Sequence, residues 1–142
     1  MKSSDIFIHV MQISDYYEIY ELWCNTSGMG ISNADSIENI QRFLIRNRGL
    51  SFVCRDKDKI IGTILCGHDG RRGYIYHVTV SDEYRGRGLG RQLVETSLDS
   101  LKTEGINKCH LFVFADNAIG NGFWASTGWE KREDIIVYSN TI

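Results

Sequence analysis

Proline is absent from the sequence, so no helix stop, kink or rigid turn can be assigned to it, and boundaries must be read from glycine, asparagine and charge. Cysteine is sparse: Cys24, Cys54, Cys66 and Cys109. No two of them lie within three residues of each other, which excludes the ligand spacing of a zinc ribbon and of a redox dithiol. All four are read as structural free thiols that pack as small hydrophobes. Neither sign of charge dominates: 16 Lys and Arg stand against 18 Asp and Glu, a net charge of -2. The basic stripe of a nucleic-acid binder is missing. So is any apolar run of about 18 residues that could span a membrane, and no N-terminal stretch resembles a signal peptide. The expected setting is the cytoplasm, with no metal, no membrane and no nucleic acid.

The 142 residues suit one domain, expected to span 1–142, and a chain of this length buries roughly two-thirds of its unfolded surface without disulfides or metal. Hydrophobic residues make up 42% and charged residues 24%, the composition of an ordinary globular protein.

Ile6 to Met11 is apolar and partly β-branched, and reads as a first strand. Ser14 and Asp15 look like the cap of a helix running to about Cys24, with Ile19, Leu22 and Trp23 on its apolar face. The glycine-bearing segment Asn25 to Asn33 reads as a loop. A second helix is expected from about Asp35 to Asn47, closed by Gly49. Leu50 to Arg55 and Ile60 to Gly67 flank the turn Asp56–Lys59 as a hairpin, and Asp69–Gly73 turns the chain into a strand from Tyr74 to Val80. A long helix follows from about Gly88 to Glu104, with Leu89, Leu93, Leu98 and Leu101 on one face. Cys109 to Phe114 reads as a strand, Ala118 to Thr127 as a short helix, and Ile135 to Tyr138 as a last strand. These elements make one mixed α/β domain.

The chemical signal lies in Arg85-Gly-Arg-Gly-Leu-Gly-Arg91. Glycines at 86, 88 and 90 leave backbone N–H groups uncovered at the start of a helix. There the unpaired donors and the partial positive charge of the helix attract phosphate. Arg85, Arg87 and Arg91 add charged donors at the rim. A dinucleotide fingerprint needs G-x-G-x-x-G and a Walker loop ends in Gly-Lys-Ser/Thr; neither is present.

Val78-Thr-Val-Ser-Asp-Glu-Tyr-Arg-Gly-Arg-Gly-Leu-Gly90 resembles the pyrophosphate motif of the GNAT superfamily of N-acyltransferases, whose signature Arg/Gln-x-x-Gly-x-Gly/Ala is met by Arg85, Gly88 and Gly90. A second family signature resembles Asn117, Phe123-Trp124 and Gly128-Trp129. The stretch Gly67 to Gly73 is similar to a small bacterial group of single-domain members. The resemblance implies a central mixed, mostly antiparallel sheet flanked by helices and splayed between its fourth and fifth strands. It also implies acetyl-CoA as co-substrate and a primary amine, small molecule or peptide N-terminus, as acceptor. Exposed last strands pair into homodimers in some members.

By the same resemblance, the backbones of Val78 and Val80 hold the pantetheine arm, and one N–H there polarises the thioester carbonyl. The backbone from Arg85 through Gly86, Arg87, Gly88, Leu89 and Gly90 to Arg91 holds the pyrophosphate, and Asn117 bonds the pantetheine amide. As a bare residue, Asn117 is also a good helix cap before Ala118. Trp124 packs on the cofactor but occupies the position where many members carry a tyrosine that protonates the leaving thiolate. Strand alternation would put Tyr74, Tyr76, Val78 and Val80 on one face and His77 on the other. Tyr74 and Tyr76 are therefore the candidate catalytic groups, acting through water, with plain core packing as their other reading. On that parity His77 is a core or interface histidine. The vacant acid position keeps a non-catalytic acyl-CoA-binding module in view as an alternative. An enzyme acting on charged tRNA is disfavoured by the net charge.

Overall fold

The β-branched runs in the middle of the chain become strands because each has a neighbour to pair with. In the computed structural model, which describes residues 5–142, strands β1 (Ile6–Val10), β2 (Phe52–Asp56), β3 (Lys59–His68), β4 (Gly73–Val80) and β5 (Cys109–Leu111) form one sheet in that order. Neighbours from β1 to β4 are antiparallel, and β4 and β5 are parallel. Helices α1 (Tyr16–Cys24), α2 (Ile37–Arg46), α3 (Leu89–Thr103) and α4 (Ala118–Ser126) complete the chain. The mixed, mostly antiparallel sheet with flanking helices agrees with the sequence reading. The chain divides after Phe112 into two compact units.

In the first unit α1 and α2 cover one face of the sheet. Tyr16, Ile19 and Trp23 of α1 and Ile40 of α2 form a core cluster with Val53, Ile60 and Leu65. Burial of each large apolar side chain contributes about 1.5–3 kcal/mol. The opposite face belongs to α3. Its Leu93 lies 3.2 Å from where a Cβ on Gly62 would stand, and its Leu101 lies 2.6 Å from the same point on Gly73. Gly62 is the register partner of Cys54, the neighbour of Val53 in β2, so the two sets of side chains point to opposite faces. Ser97 of α3 ties its hydroxyl to the Leu50 carbonyl at 2.7 Å. On the face toward α3, Gly62 and Gly73 leave room for the Leu93 and Leu101 side chains.

Several boundaries differ from the sequence reading. The cap before α1 sits earlier: the Gln12 N–H donates to Asp15 Oδ2 at 3.3 Å across a 3₁₀ turn at Ile13–Asp15. Asp35 lies in a second 3₁₀ turn, Asn33–Asp35, and α2 starts at Ile37 behind Ser36, whose hydroxyl accepts the Asn39 N–H at 3.2 Å. Strand β5 stops at Leu111 rather than Phe114. Cys24 is exposed, against its reading as a packed thiol, whereas Cys54 and Cys66 are buried.

The second unit, Val113–Ile142, contains α4 and no strand among its described residues. The expected strand at Ile135 to Tyr138 does not form, and Ile136 and Tyr138 are 78% and 91% exposed. An apolar β-branched run supplies strand composition, but a strand exists only through ladder bonds to a partner.

Candidate active site

The two sides of β4 are satisfied unequally. Toward β5 only Gly73, Tyr74 and Ile75 find partners, in Cys109, His110 and Leu111. Beyond Ile75 the strand runs on to Val80 with that edge open. Such an edge presents N–H and C=O groups to an added extended ligand. Toward β3, Tyr76 faces Leu65 and Thr79 faces Thr63, so His77 and Val78 together oppose the single residue Ile64. That is a β-bulge, and His77 adopts φ 50°, a left-handed conformation that costs a non-glycine residue roughly 1–2 kcal/mol.

The bulge overturns the expected parity. Tyr76 lies on the face of α1 and α2, edge-on to Phe43 at 6.3 Å. His77 lies on that same face, its ring 4.7 Å from Trp23. Thr79 is there too, its hydroxyl 2.9 Å from that of Thr26. Val80 pairs with Gly62 and turns toward α3, as does Val78 two residues before it. The extra residue re-phases the strand, so Tyr74 and Tyr76 do not share a face with Val78 and Val80. Tyr74 stands over β5, 5.9 Å from His110 and 6.5 Å from Phe112. Burial pushes the Tyr76 hydroxyl above the ordinary phenol range, so it stays protonated and suits a proton donor better than a base.

His77 is a packed histidine, as expected, but with a partner that the sequence did not announce. Its Nε2 lies 2.9 Å from Oδ1 of Asp35, with side-chain exposures of 14% and 8%. Asp35 Oδ2 accepts the Ser32 N–H at 3.1 Å, and the Asp35 carbonyl accepts the Tyr16 hydroxyl at 2.6 Å. The spacing Ser32-Asn-Ala-Asp35 is a capping-box pattern and was the available signal; the long-range bond to His77 had none.

After Val80 a 3₁₀ turn, Asp82–Tyr84, leads into the glycine loop. Gly86 and Gly88 both adopt φ 79°, and nothing lies within 4 Å of where their Cβ atoms would stand. Gly88 is the N-cap of α3, so no side chain caps the helix, and its first turn holds no acidic residue. Leu89 is buried and anchors that first turn, while Gly90 continues it. The helix end is therefore bare and electropositive, the surface an anion requires. The three arginines are less free than their spacing implied. Arg85 donates from Nε to the Val80 carbonyl at 3.1 Å and pairs with Asp82 at 3.3 Å. The Arg87 guanidinium sits 5.0 Å above the Tyr84 ring, whose hydroxyl donates to Asp56 at 2.5 Å. Arg91 pairs with Glu95 at 3.5 Å. The loop therefore offers its bare backbone N–H groups first, with the Arg87 and Arg91 guanidinium groups at its rim.

A groove of about 490 Å³ runs between α1 and the ends of β3 and β4 and reaches Val80 and Ser81. Glu18, Glu21, Asp82 and Glu83 line it against the single cation Lys59. Glu18 already accepts the Ile60 N–H at 2.8 Å, and Lys59 pairs with Glu83 at 3.7 Å. The groove is acidic, a feature invisible in a chain whose net charge is -2.

In the second unit Asn117 caps α4, its Oδ1 accepting the Gly120 N–H at 3.0 Å. A Cβ on Gly120 would stand 2.7 Å from the Asn117 amide nitrogen, so the glycine is part of that cap. Trp124 packs edge-on between Phe123 and Trp129, with ring centroids at 4.8 and 5.0 Å. The second motif is therefore one aromatic cluster behind a helix cap.

Known proteins resemble the chain in sequence and in fold. An acetyltransferase of Yersinia enterocolitica is 29% identical over 130 residues, 92% of each chain. Two solved structures share the fold. One is a PaiA N-acetyltransferase of Thermoplasma acidophilum in complex with coenzyme A, with a TM-score of 0.78 and 18% identity over 92% of each chain. The other is an aminoglycoside acetyltransferase from a soil metagenomic sample in complex with sisomicin, with a TM-score of 0.75 and 17% identity over 98% of this chain and 97% of that one. The sequence profile of the acetyltransferase (GNAT) family matches residues 16–129, from the first turn of α1 to the Gly-aromatic pair after α4. With glycine loop, half-open strand and profile in agreement, the chain belongs to the GNAT acetyltransferase family and is an acyltransferase.

Proposed function

We propose that the protein is an acetyl-CoA-dependent N-acetyltransferase that moves an acetyl group to a primary amine by direct attack, and that residues 1–142 work as one such domain. The observation that carries this is the bare N-terminus of α3, with Gly86 and Gly88 at positive φ, directly following the open edge of β4. The nest takes the pyrophosphate through the backbone of Arg85 to Arg91, and the edge from Tyr76 to Val80 takes the pantetheine arm as an added strand. Val78 and Val80 contribute backbone groups there, one N–H to the thioester carbonyl. Asn117 and Trp124, which carry the second motif, are assigned to the cofactor on that ground. The family profile running from residue 16 to 129 supports a single domain.

In this reading the neutral amine nitrogen attacks the thioester carbon, the tetrahedral oxygen is held by β4 backbone, and the carbon–sulfur bond breaks to release thiolate. An alkylammonium has a pKa near 10.4, so a proton must leave before attack. Tyr76, kept protonated by burial, is assigned the return of a proton to the thiolate, and Tyr74 a relay through water. The acidic groove beside Val80 favours a cationic acceptor, in line with the aminoglycoside held by one structural relative.

Calorimetric titration with coenzyme A and acetyl-CoA tests the cofactor. A panel of spermidine, sisomicin and a short peptide with a free N-terminus, followed by mass spectrometry, tests the acceptor. Binding followed by a mass gain of one acetyl group on a panel amine is the expected result. Failure of a folded sample to bind either coenzyme A form overturns the reading.

A further inference from the structure

The bulge in β4 is fastened from outside the sheet. Its residue is a histidine at φ 50°, a left-handed conformation uncommon outside glycine. Two sets of contacts hold it. The ring is gripped by Asp35 at 2.9 Å and lies against Trp23. The carbonyl accepts the Thr63 hydroxyl at 3.1 Å, and that hydroxyl in turn accepts the Trp23 indole N–H at 3.0 Å. A carboxylate only accepts, so Nε2 of His77 carries the hydrogen that joins them. The other oxygen of Asp35 is committed to Ser32 and its carbonyl to Tyr16. These bonds together fix one arrangement of the Asp35 carboxylate and the His77 ring edge that faces it. Its shielding from solvent strengthens the bond relative to a surface pair.

We propose that His77 and Asp35 form a positioning pair that clamps the segment joining α1 to α2 onto the β4 bulge. The clamp fixes the backbone of His77–Val78 where the acyl thioester must lie. The pair spans 42 residues of sequence, linking the loop on the α1 and α2 face to the stretch of β4 that has no partner toward β5. His77 and Val78 stand outside the register with β3 as well, so the ladder alone does not set their orientation. Asp35 does so through the ring. This inference rests on the reading that the open edge takes the acyl-CoA arm. It adds a residue pair that discriminates the acetylated from the free cofactor.

The test needs no acceptor. His77→Gly removes the ring while keeping the left-handed backbone at no steric cost, and Asp35→Asn keeps the shape while removing the charge. Calorimetry of both variants with coenzyme A and with acetyl-CoA is compared with the wild type. Coenzyme A affinity is expected to fall less than acetyl-CoA affinity, because only the acetylated form carries a thioester carbonyl for the bulge to hold. Acetyl-CoA affinity is expected to fall about fivefold, the size of one ordered hydrogen bond. Amide hydrogen exchange of the full chain is expected to quicken in peptides covering residues 25–36. Nitrogen-15 spectra of the wild type should show the hydrogen of the His77 ring on Nε2. Equal losses for the two ligands, no loss in either variant, unchanged exchange in 25–36, or the hydrogen on Nδ1 each overturn the clamp. If the wild type binds neither ligand, the proposed function falls, and exchange and tautomer still decide whether the clamp exists.

Discussion

Strand β4 is two strands in one. From Gly73 to Ile75 it is bonded on both sides, by β3 and by β5, and Ile75 and Gly73 are buried against the leucines of α3. From His77 to Val80 it is bonded on one side only, carries a bulge, and runs straight into the glycine loop. The first half is built to be close-packed, the second to be incomplete. A sheet that satisfied all its own hydrogen bonds would have nothing to offer an extended ligand. This one withholds pairing over a few residues next to an electropositive helix end and spends its packing a turn earlier.

The sharpest way to break the contrast is at the chemical end. Gly88→Glu places a side chain and a negative charge in the bare space of the nest, at a φ that only glycine adopts freely. It is expected to abolish calorimetric binding of coenzyme A while the circular dichroism spectrum stays native. Undiminished affinity in the folded variant would remove the nest from the site. The matching change in the packed half is Gly73→Val, which drives branched carbon toward Leu101, 2.6 Å from the position of the first added atom. Overpacking of this kind costs about 1–3 kcal/mol, so a clear fall in Tm is expected with coenzyme A affinity preserved. If affinity fell and Tm did not, the division of labour along β4 would be wrong.

A smaller effect follows from two buried thiols of the sheet. Cys66 faces Ile75 across the ladder, and burial pushes its thiol up to about 12; Cys54 in β2 is pushed up to about 11. Both values are raised above the ordinary 9.0. The unfolded chain therefore releases these protons first, and stability is retained below pH 9 and lost as pH rises from 9 toward 11. Urea midpoints at pH 8, 9.5 and 10.5 are expected to fall in that order, and the decline should weaken in Cys66→Ala. The smallest effect is a count: an aromatic disulfide reagent at pH 8 is expected to label the exposed Cys24 first and the half-buried Cys109 slowly in the native protein, and all four cysteines after denaturation. Labelling of Cys66 in the native state would mean that the packed half opens.

Much of this fold was legible in the sequence because its signals are local. The helical spacing of Ile19, Leu22 and Trp23, the turn between β2 and β3, Gly49 and Gly88 at helix ends, and the loop from Arg85 to Arg91 each depend on a few neighbouring residues. What could not be read depends on residues far apart. The bulge at His77 reflects register against β3, and no residue near it in sequence announces an extra position. Counting by twos from Tyr74 therefore gave the wrong face to Val78 and Val80. The Asp35 partner lies 42 residues away, and the acidic groove gathers Glu18 and Glu21 with Asp82 and Glu83 from two distant segments. The run Ile135 to Tyr138 failed for the opposite reason: its local composition was right, but a strand is a property of two segments.

The bulge also acts as a reading-frame shift within a strand. Removing His77 would restore strict alternation across the Thr63–Leu65 interval with Tyr76 and Thr79 still on the side of α1, opposite Leu65 and Thr63, and Val78 and Val80 still on that of α3. One codon would thus delete the ring held by Asp35 and Trp23 and the extra length of strand before the glycine loop, while Thr79 stayed beside Thr26.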